Sequence, residues 1–89
     1  MGKVRLKDIK VGFQVCNNEK YNRLPWAAEI YKEVNNVFYF KDFSFSRLRF
    51  SEGGNLKASE IVSNVNNGTW STPKKPYDFE LLKVLYKNT

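Results

Sequence analysis

The 89-residue sequence contains no histidine and a single cysteine, Cys16. Without histidine, the chain lacks the side chain that most often serves as general base, metal ligand or proton switch near neutral pH. One cysteine excludes both an internal disulfide and a zinc cluster of several thiolates. The sequence therefore predicts no catalytic residue, no metal and no cofactor, and it favours a protein that acts by binding.

Long apolar runs are also missing. No stretch approaches the ~20 apolar residues that cross a bilayer, and the residues up to Leu6 lack the apolar segment of a signal peptide. A single cysteine, which cannot form a disulfide within its own chain, is typical of a reducing compartment. We therefore expect a cytoplasmic protein that does not contact a membrane.

The composition is that of a folded domain with a basic surface. Seven Phe, five Tyr and two Trp, with a hydrophobic fraction of 42%, suffice to bury a core. A chain of this length supports one core, so we expect a single domain over residues 1–89. The net charge of +6 comes mainly from lysine, which favours diffuse attraction to phosphate over the reading of bases.

The first half reads mostly as strands. Apolar residues alternate with polar ones before and after Gly12, which predicts a strand at 13–16, with Leu6 and Ile9 packing in a short turn before it. Residues 26–34 fit either a helix or a strand, and as a strand they place Ile30 and Val34 on one side. We favour the strand, because 37–40 needs a neighbour and Asn35-Asn36 can close a hairpin. A helix over 26–34 remains the alternative.

Further along, the pattern changes from strand to helix. In 43–50 the apolar residues occupy one side of the strand up to Phe45 and the opposite side after it. This change predicts a bulge or a turn near Ser46. Gly53-Gly54-Asn55 should end the strand-rich part. A helix near 56–67 follows from its apolar spacing, with Asn55 as a plausible N-cap and Asn66-Asn67-Gly68 as its stop.

The tail over residues 78–87 fits two structures. It is either a helix capped by Asp78 with Phe79, Leu82 and Tyr86 aligned, or a closing strand over 81–86. We favour the strand, since it would cover an open sheet edge. The predicted fold is thus α+β: a small, bent, antiparallel sheet of four or five strands, SH3-like and partly barrel-like, with one helix near 56–67.

The candidate binding residues are cations and aromatic rings. Basic residues interleaved with rings are typical of surfaces that bind single-stranded nucleic acid, although rings in a core and lysines kept for solubility give the same pattern. The two tryptophans lie where loops meet regular elements, and such rings are either binding hot spots or loop anchors. The full set is Trp26, Tyr39, Phe45, Arg47, Arg49, Trp70, Lys74 and Lys75.

Three segments carry a resemblance to known proteins. Residues 6–13, LKDIKVGF, resemble the opening of many small phage-encoded proteins, and residues 61–70, IVSNVNNGTW, resemble the close of such reading frames. Residues 26–30 followed by 37–40 are similar to SH3-like and Tudor-like small barrels. The phage resemblance implies a non-enzymatic accessory protein that blocks a host factor or a defence system.

Three functions follow as hypotheses. The first is stoichiometric inhibition of a host or defence protein that handles nucleic acid, whose acidic rim would attract this charge. The second is direct binding of single-stranded nucleic acid, and the third is a sponge that sequesters a nucleotide signal between subunits. An exposed tryptophan or an uncovered strand edge would favour a homodimer.

Overall fold

Five strands and two α-helices make up the part of the chain that the computed structural model describes, residues 4–18 and 24–86. In chain order they are a 3-10 turn over Leu6–Asp8, β1 (Gln14–Asn17), β2 (Trp26–Val34), β3 (Val37–Ser44), β4 (Arg49–Lys57), α1 (Ala58–Asn66), β5 (Trp70–Ser71) and α2 (Phe79–Tyr86). The expected α+β class is confirmed. Neither helix in these ranges has the length and apolar character needed to cross a membrane.

The strands form one antiparallel sheet in the order β4-β3-β2-β1-β5. The chain runs as a meander from β1 to β4, because each of these strands pairs with the next. After α1 it returns to the far side of β1, where Trp70 lies opposite Asn17. The short last strand thus lies at the sheet edge opposite to β4.

The β2–β3 hairpin confirms the strand interpretation of 26–34 and excludes the helix. Asn35 and Asn36 form its turn with φ of 51° and 66°, so both residues adopt the left-handed conformation of a two-residue type I′ turn. Asparagine tolerates this region better than other residues that carry a Cβ. The pair therefore sets the register in which Val34 faces Val37.

Two irregularities bend the sheet at the same level of β3. Tyr31 is an extra residue in β2, where the register shifts between Ile30 and Lys32. One residue of bulge reverses side-chain parity, so Val34 is not on the side of Ile30 as expected and is exposed instead.

The second irregularity lies in β4, where the register shifts opposite Tyr39 and Lys41. Gly54 lies there with a φ of 79°, which suits a bulge that begins with glycine. The expectation that Gly53-Gly54-Asn55 ends the strand is wrong, because the bulge absorbs the glycines and β4 continues to Lys57.

Each face of the sheet has its own core. On the first face the buried side chains of Val15, Ala28, Ile30, Phe38 and Phe40 pack with Ile61 of α1 and with Ile9. On the second face Ala27 and Phe43 pack with Phe79 of α2, and Phe45, Phe50, Leu82 and Tyr86 surround them. The central strands are therefore covered by α1 on one side and by α2 on the other.

Helix α1 begins later than predicted. Its N-cap is Lys57 rather than Asn55, and the Lys57 backbone N–H donates to Oε1 of Glu60 at 3.0 Å. The continuation of β4 to Lys57 leaves no room for an earlier start. The predicted stop is confirmed, because Gly68 has a φ of 87° and its N–H donates to the Val65 carbonyl.

The preferred strand for the tail is wrong, and the helical alternative is correct. Oδ1 of Asp78 accepts a hydrogen bond from the Leu81 N–H at 3.0 Å and caps α2. The helix aligns Phe79, Leu82 and Tyr86 against the core of the second face, which a strand could not do because residues 79 and 82 would point to opposite sides. Lys87, at the end of the predicted helix, lies outside the described residues.

Gln14 ties the connection before α2 to the sheet. Its buried amide donates to the Tyr77 carbonyl at 2.8 Å and accepts from the Tyr77 N–H at 2.9 Å. The same amide nitrogen donates to Glu29 on the neighbouring strand at 2.9 Å. These bonds fix where α2 begins, since Tyr77 stands just before the Asp78 cap.

Of two further local predictions, one is confirmed and the other is confirmed only in part. The turn near Ser46 is confirmed: the chain reverses over 45–48, and the Arg47 N–H donates to Oγ of Ser44 at 3.2 Å. Before β1, Ile9 is buried as expected, but Leu6 is 61% exposed and does not pack. The 3-10 turn directs only one of the two apolar residues inward.

The asparagine turn gives the first testable prediction. Asn36→Ala should lower the free energy of unfolding by about 1 kcal/mol, because a Cβ without a compensating polar group disfavours the left-handed region. Asn36→Gly should be at least as stable as the parent. Urea denaturation measures both. Equal stability of the Ala and Gly variants would contradict the turn type.

Candidate binding site

The two tryptophans, far apart in sequence, lie side by side on the first face. Trp26 begins β2 and Trp70 begins β5, and β1 runs between these strands. Their ring centroids are 6.3 Å apart with planes at 86°. The backbone N–H of Trp26 donates a hydrogen bond to Oδ1 of Asn17 on β1 at 3.2 Å, which helps to fix the start of β2. Both rings remain partly exposed.

Trp70 also reaches Phe40 across three strand spacings. The ring centroids are 6.0 Å apart with planes at 72°, whereas β5 and β3 would be about 14 Å apart in a flat sheet. The short side chains of Val15 and Ala28 lie between them. The separation therefore indicates that the sheet curls toward the first face.

The three rings frame a cavity of about 180 Å³, which we call the tryptophan pocket. Val15, Trp26, Ala28, Phe40, Asp42, Gly53 and Trp70 line it. Pockets for drug-sized ligands are larger, roughly 300–1,000 Å³. This pocket therefore has room for a small chemical group, such as the end of a side chain.

Asp42 places a carboxylate in a pocket that is otherwise lined by aromatic rings and small residues. In the strand parity of β3 it follows Phe38 and Phe40 onto the first face. Burial raises the pKa of its carboxyl group above the ordinary value. Within residues 4–18 and 24–86, no hydrogen bond or ion pair reaches this carboxylate. The pocket thus holds an acidic group that the fold itself does not neutralise.

Gly53 on β4 makes space for that carboxylate. A Cβ at this position would collide with Oδ1 and Cγ of Asp42, and it would lie 2.9 Å from Cβ of Phe40. The absence of a side chain at Gly53 therefore lets Asp42 turn into the pocket.

A second cavity of about 230 Å³, the rim cavity, continues the pocket toward the β3–β4 turn. It shares Trp26 and Asp42 with the pocket and is also lined by Leu24, Pro25, Phe43, Ser44, Ser46, Arg47 and Ser51. No ion pair joins Arg47 to Asp42 in the described ranges. The two cavities adjoin at Trp26 and Asp42, and we call the pair the groove. The Asp42 carboxylate lines both cavities, and Arg47 lines the rim cavity.

The structure brings three of the predicted residues to this groove and places a fourth beside it. Trp26, Trp70 and Arg47 line it directly. Arg49 is exposed at the start of β4, where it pairs with Ser44 of the rim cavity.

The other four predicted residues lie elsewhere. The Phe45 ring packs between Phe43 and Tyr77, each at 5.0 Å, as part of the core. Tyr39 is on the second face. Lys74 and Lys75 are exposed beside a wide cavity of about 710 Å³ next to the Pro73 connection. The eight residues therefore do not form one continuous surface.

A polar cluster on the second face surrounds Tyr39. Nζ of Lys32 lies 4.5 Å from the Tyr39 ring centroid, and Nζ of Lys41 lies 5.6 Å from that of Tyr31. Glu52 accepts from the Tyr31 hydroxyl and pairs with Lys41, both at 3.4 Å. Each of the two lysines therefore has a contact within the protein, Lys32 with a ring and Lys41 with the exposed carboxylate of Glu52.

Sequence reasoning missed Phe40, Asp42 and Gly53 as pocket residues. One signal was present for Asp42, because the alternation Phe38, Phe40, Asp42 places an acid at a position that should face a core. An acidic side chain that faces a core lowers the stability of the fold unless another group pairs with it.

Comparison with known protein families, curated proteins and solved structures finds no match to this chain. Within the described part of the chain, no group of three or more acidic or cysteine side chains lies close enough together to hold a metal ion. Function is therefore inferred from the groove itself.

The raised pKa of Asp42 predicts how stability depends on pH. The folded state binds more protons than the unfolded state between the ordinary and the raised pKa, so stability falls as pH rises through that window. Asp42→Asn should remove this fall and should be more stable than the parent at about pH 7. Urea unfolding from about pH 4 to pH 7 measures both effects. Lower stability of Asp42→Asn at neutral pH would contradict this account.

Gly53 gives a prediction about space. Gly53→Ala should lower the free energy of unfolding by about 1–3 kcal/mol, since Asp42 or Phe40 must move away from the new methyl group. The matched control is Asn55→Ala, at an exposed position of the same strand, with an expected change within about 0.5 kcal/mol. Similar values for the two variants, from denaturant titration, would show that Gly53 is not needed for close approach.

Proposed function

We propose that this chain is a non-enzymatic module that acts by stoichiometric binding to another protein through the groove. The observation that carries the proposal is the pair of partly exposed tryptophans beside a carboxylate that has no partner in the described residues. Keeping large rings and an unpaired charge in one pocket costs stability, and a partner that covers them recovers part of that cost.

The residue types in the groove support a protein partner. Tryptophan and arginine are enriched in binding hot spots. Tryptophan buries a large area with few rotatable bonds, and the planar guanidinium of arginine donates several hydrogen bonds in a fixed geometry. The groove holds Trp26 and Trp70 inside and Arg47 at its rim, with Arg49 next to it. The non-enzymatic part of the proposal rests on the sequence, which contains no histidine.

We extend the proposal to the kind of partner: a host or defence protein that handles nucleic acid, inhibited because the module covers its working surface. The net charge of +6 and the exposed cations Arg47, Arg49, Lys74 and Lys75 support attraction to an acidic rim on such a partner. The resemblance to small phage-encoded proteins points in the same direction.

The finer fold assignment, an SH3-like and partly closed barrel, belongs to the same proposal. It is supported by the strand order, in which β5 returns to β1 after a four-strand meander. The two bulges beside Tyr39 and the short distance from Trp70 to Phe40 also support a curled sheet.

Direct binding of single-stranded nucleic acid receives less support. A stacking platform needs rings that bases can reach, whereas Phe45 packs against Phe43 and Tyr77. The Tyr39 ring is accompanied by Lys32, and Lys41 pairs with Glu52. This alternative is kept as an outcome of the experiment that follows.

A random-peptide display library tests the proposed function. Peptides selected on the immobilised protein should bind the groove, so the double substitution Arg47→Glu and Arg49→Glu should weaken them by about tenfold or more. The control Lys7→Glu with Lys10→Glu changes the net charge equally at exposed positions before β1 and should have less than about a twofold effect.

Two results would count against the proposal. Equal weakening by both double variants would mean that only net charge matters. Failure to select peptides, together with binding of a fluorescent oligonucleotide at about 50 mM salt that Arg47→Glu with Arg49→Glu abolishes, would favour the nucleic-acid alternative, since low salt favours contacts to phosphate.

A further inference from the structure

The connection between β5 and α2 forms a compact loop on β1. This loop, residues 72–77, begins where Ser71 pairs with Cys16, and it ends where the Tyr77 backbone makes two hydrogen bonds with the Gln14 side-chain amide. Gln14 and Cys16 are two positions apart on one strand, so the loop begins and ends at points of β1 about 7 Å apart. Such a loop closes on itself and can leave a space beside the strand.

The space beside the loop is a cavity, which we call the loop cavity. Cys16 and Asn17 of β1 line it on one side, and residues 71–75 with Tyr77 line it on the other. Its volume of about 710 Å³ lies within the range of roughly 300–1,000 Å³ that holds small-molecule ligands. Among the described residues, it shares none with the tryptophan pocket or the rim cavity. The loop cavity is therefore a site separate from the groove.

Two lysines give the loop cavity a positive charge. Lys74 and Lys75 line it, and no acidic side chain from residues 4–18 and 24–86 does. Within the same ranges, no hydrogen bond or ion pair engages either ammonium group or the exposed hydroxyl of Thr72. Neighbouring positive charges repel each other, so an anion that pairs with both lysines is favoured over a neutral ligand.

The backbone that carries the two lysines is restrained before a ligand arrives. Pro73 and Pro76 stand directly before and after the pair, and each proline ring fixes its own φ near about −65°. On the other side of the cavity, the Asn18 amide donates a hydrogen bond to the Gly68 carbonyl at 2.6 Å. A restrained site loses little conformational entropy when it binds, which favours affinity.

The donors in the loop cavity favour a phosphate over a carboxylate. A phosphate monoester carries a charge of about −1.5 to −2 at neutral pH and has three acceptor oxygens. Two ammonium groups and the Thr72 hydroxyl can satisfy these oxygens together. A carboxylate carries a single charge and leaves one of the two lysines without an opposite charge.

The rest of the cavity suits an organic group with a flat ring. The Tyr77 ring contacts Phe45, with 5.0 Å between the centroids, and Tyr77 is still 38% exposed. Pro73 provides a further apolar surface in the same cavity. Bases stack on accessible aromatic rings. A ligand with a phosphate at one end and a flat ring at the other therefore matches both parts of the cavity.

We propose that the loop cavity binds a phosphate monoester of a small molecule of mononucleotide size. The phosphate lies between Lys74 and Lys75, and the organic ring lies against Tyr77. Since the site is separate from the groove, this inference does not rest on the proposed function.

An NMR titration of the full chain with adenosine monophosphate tests the inference. The nucleotide should shift the backbone amide signals of Cys16, Ser71 and Lys75, with a dissociation constant below about 1 mM at about 50 mM salt. Adenosine lacks only the phosphate and should cause no shift at the same concentrations. Inorganic phosphate should bind more weakly than the nucleotide, because it has no ring to stack on Tyr77.

Charge variants separate the loop cavity from the net charge of the protein. Lys74→Gln with Lys75→Gln should weaken the nucleotide by about tenfold or more. The matched control, Lys7→Gln with Lys10→Gln, removes the same two charges at exposed positions before β1 and should have less than about a twofold effect.

Four results of these titrations would overturn the inference. They are equal weakening by the two double variants, binding of adenosine as tight as that of the nucleotide, and binding of inorganic phosphate at least as tight as that of the nucleotide. The fourth is a single-stranded oligonucleotide that binds more than about tenfold tighter than the mononucleotide, which would assign the cavity to nucleic acid.

Cys16 gives a second readout from inside the cavity. It is the only cysteine of the sequence, and it is half-buried. Saturating adenosine monophosphate should slow its alkylation by iodoacetamide by about threefold or more, because the reaction requires access to the thiol. The same nucleotide concentration should leave alkylation unchanged in Lys74→Gln with Lys75→Gln. Unchanged alkylation of the parent at saturation would place the nucleotide elsewhere on the protein and would contradict the inference.

Discussion

The structure depends on a strand pair, β2 with β3, that is buried from both sides. Ala27 and Phe43 face one core, whereas Ala28, Ile30 and Phe40 face the other. Only two short helices are present in the described ranges to cover these faces, and each packs on a different face. The part of the first face beside Trp26 is therefore closed by aromatic rings, and the tryptophan pocket is what remains open between them.

The pocket exists because small residues lie where large ones would fill it. Ala28 leaves the space that the rings surround, and Gly53 leaves the space into which Asp42 turns. Burial of the Asp42 carboxylate opposes folding at neutral pH, as the raised pKa implies. Residues that cost stability in the free protein and become satisfied on binding are typical of recognition sites.

Local chemistry made part of this fold predictable. Two consecutive asparagines correctly predicted the β2–β3 turn, and Gly68 correctly predicted the end of α1. The change in side-chain alternation after Phe45 correctly predicted a turn. The errors came from contacts distant in sequence. The bulge that retains Gly53 in a strand depends on β3, and α2 is selected by the core around Phe43. The pocket could not be predicted from the sequence, because Trp70 contacts Phe40 only where the sheet curls.

A crystal structure of the chain with a peptide selected from the display library would test the central claim most directly. The account predicts that the peptide lies in the groove, in contact with Trp26, Trp70 and Arg47. The contradicting result is a peptide bound away from the groove, at Tyr31 and Tyr39 on the second face.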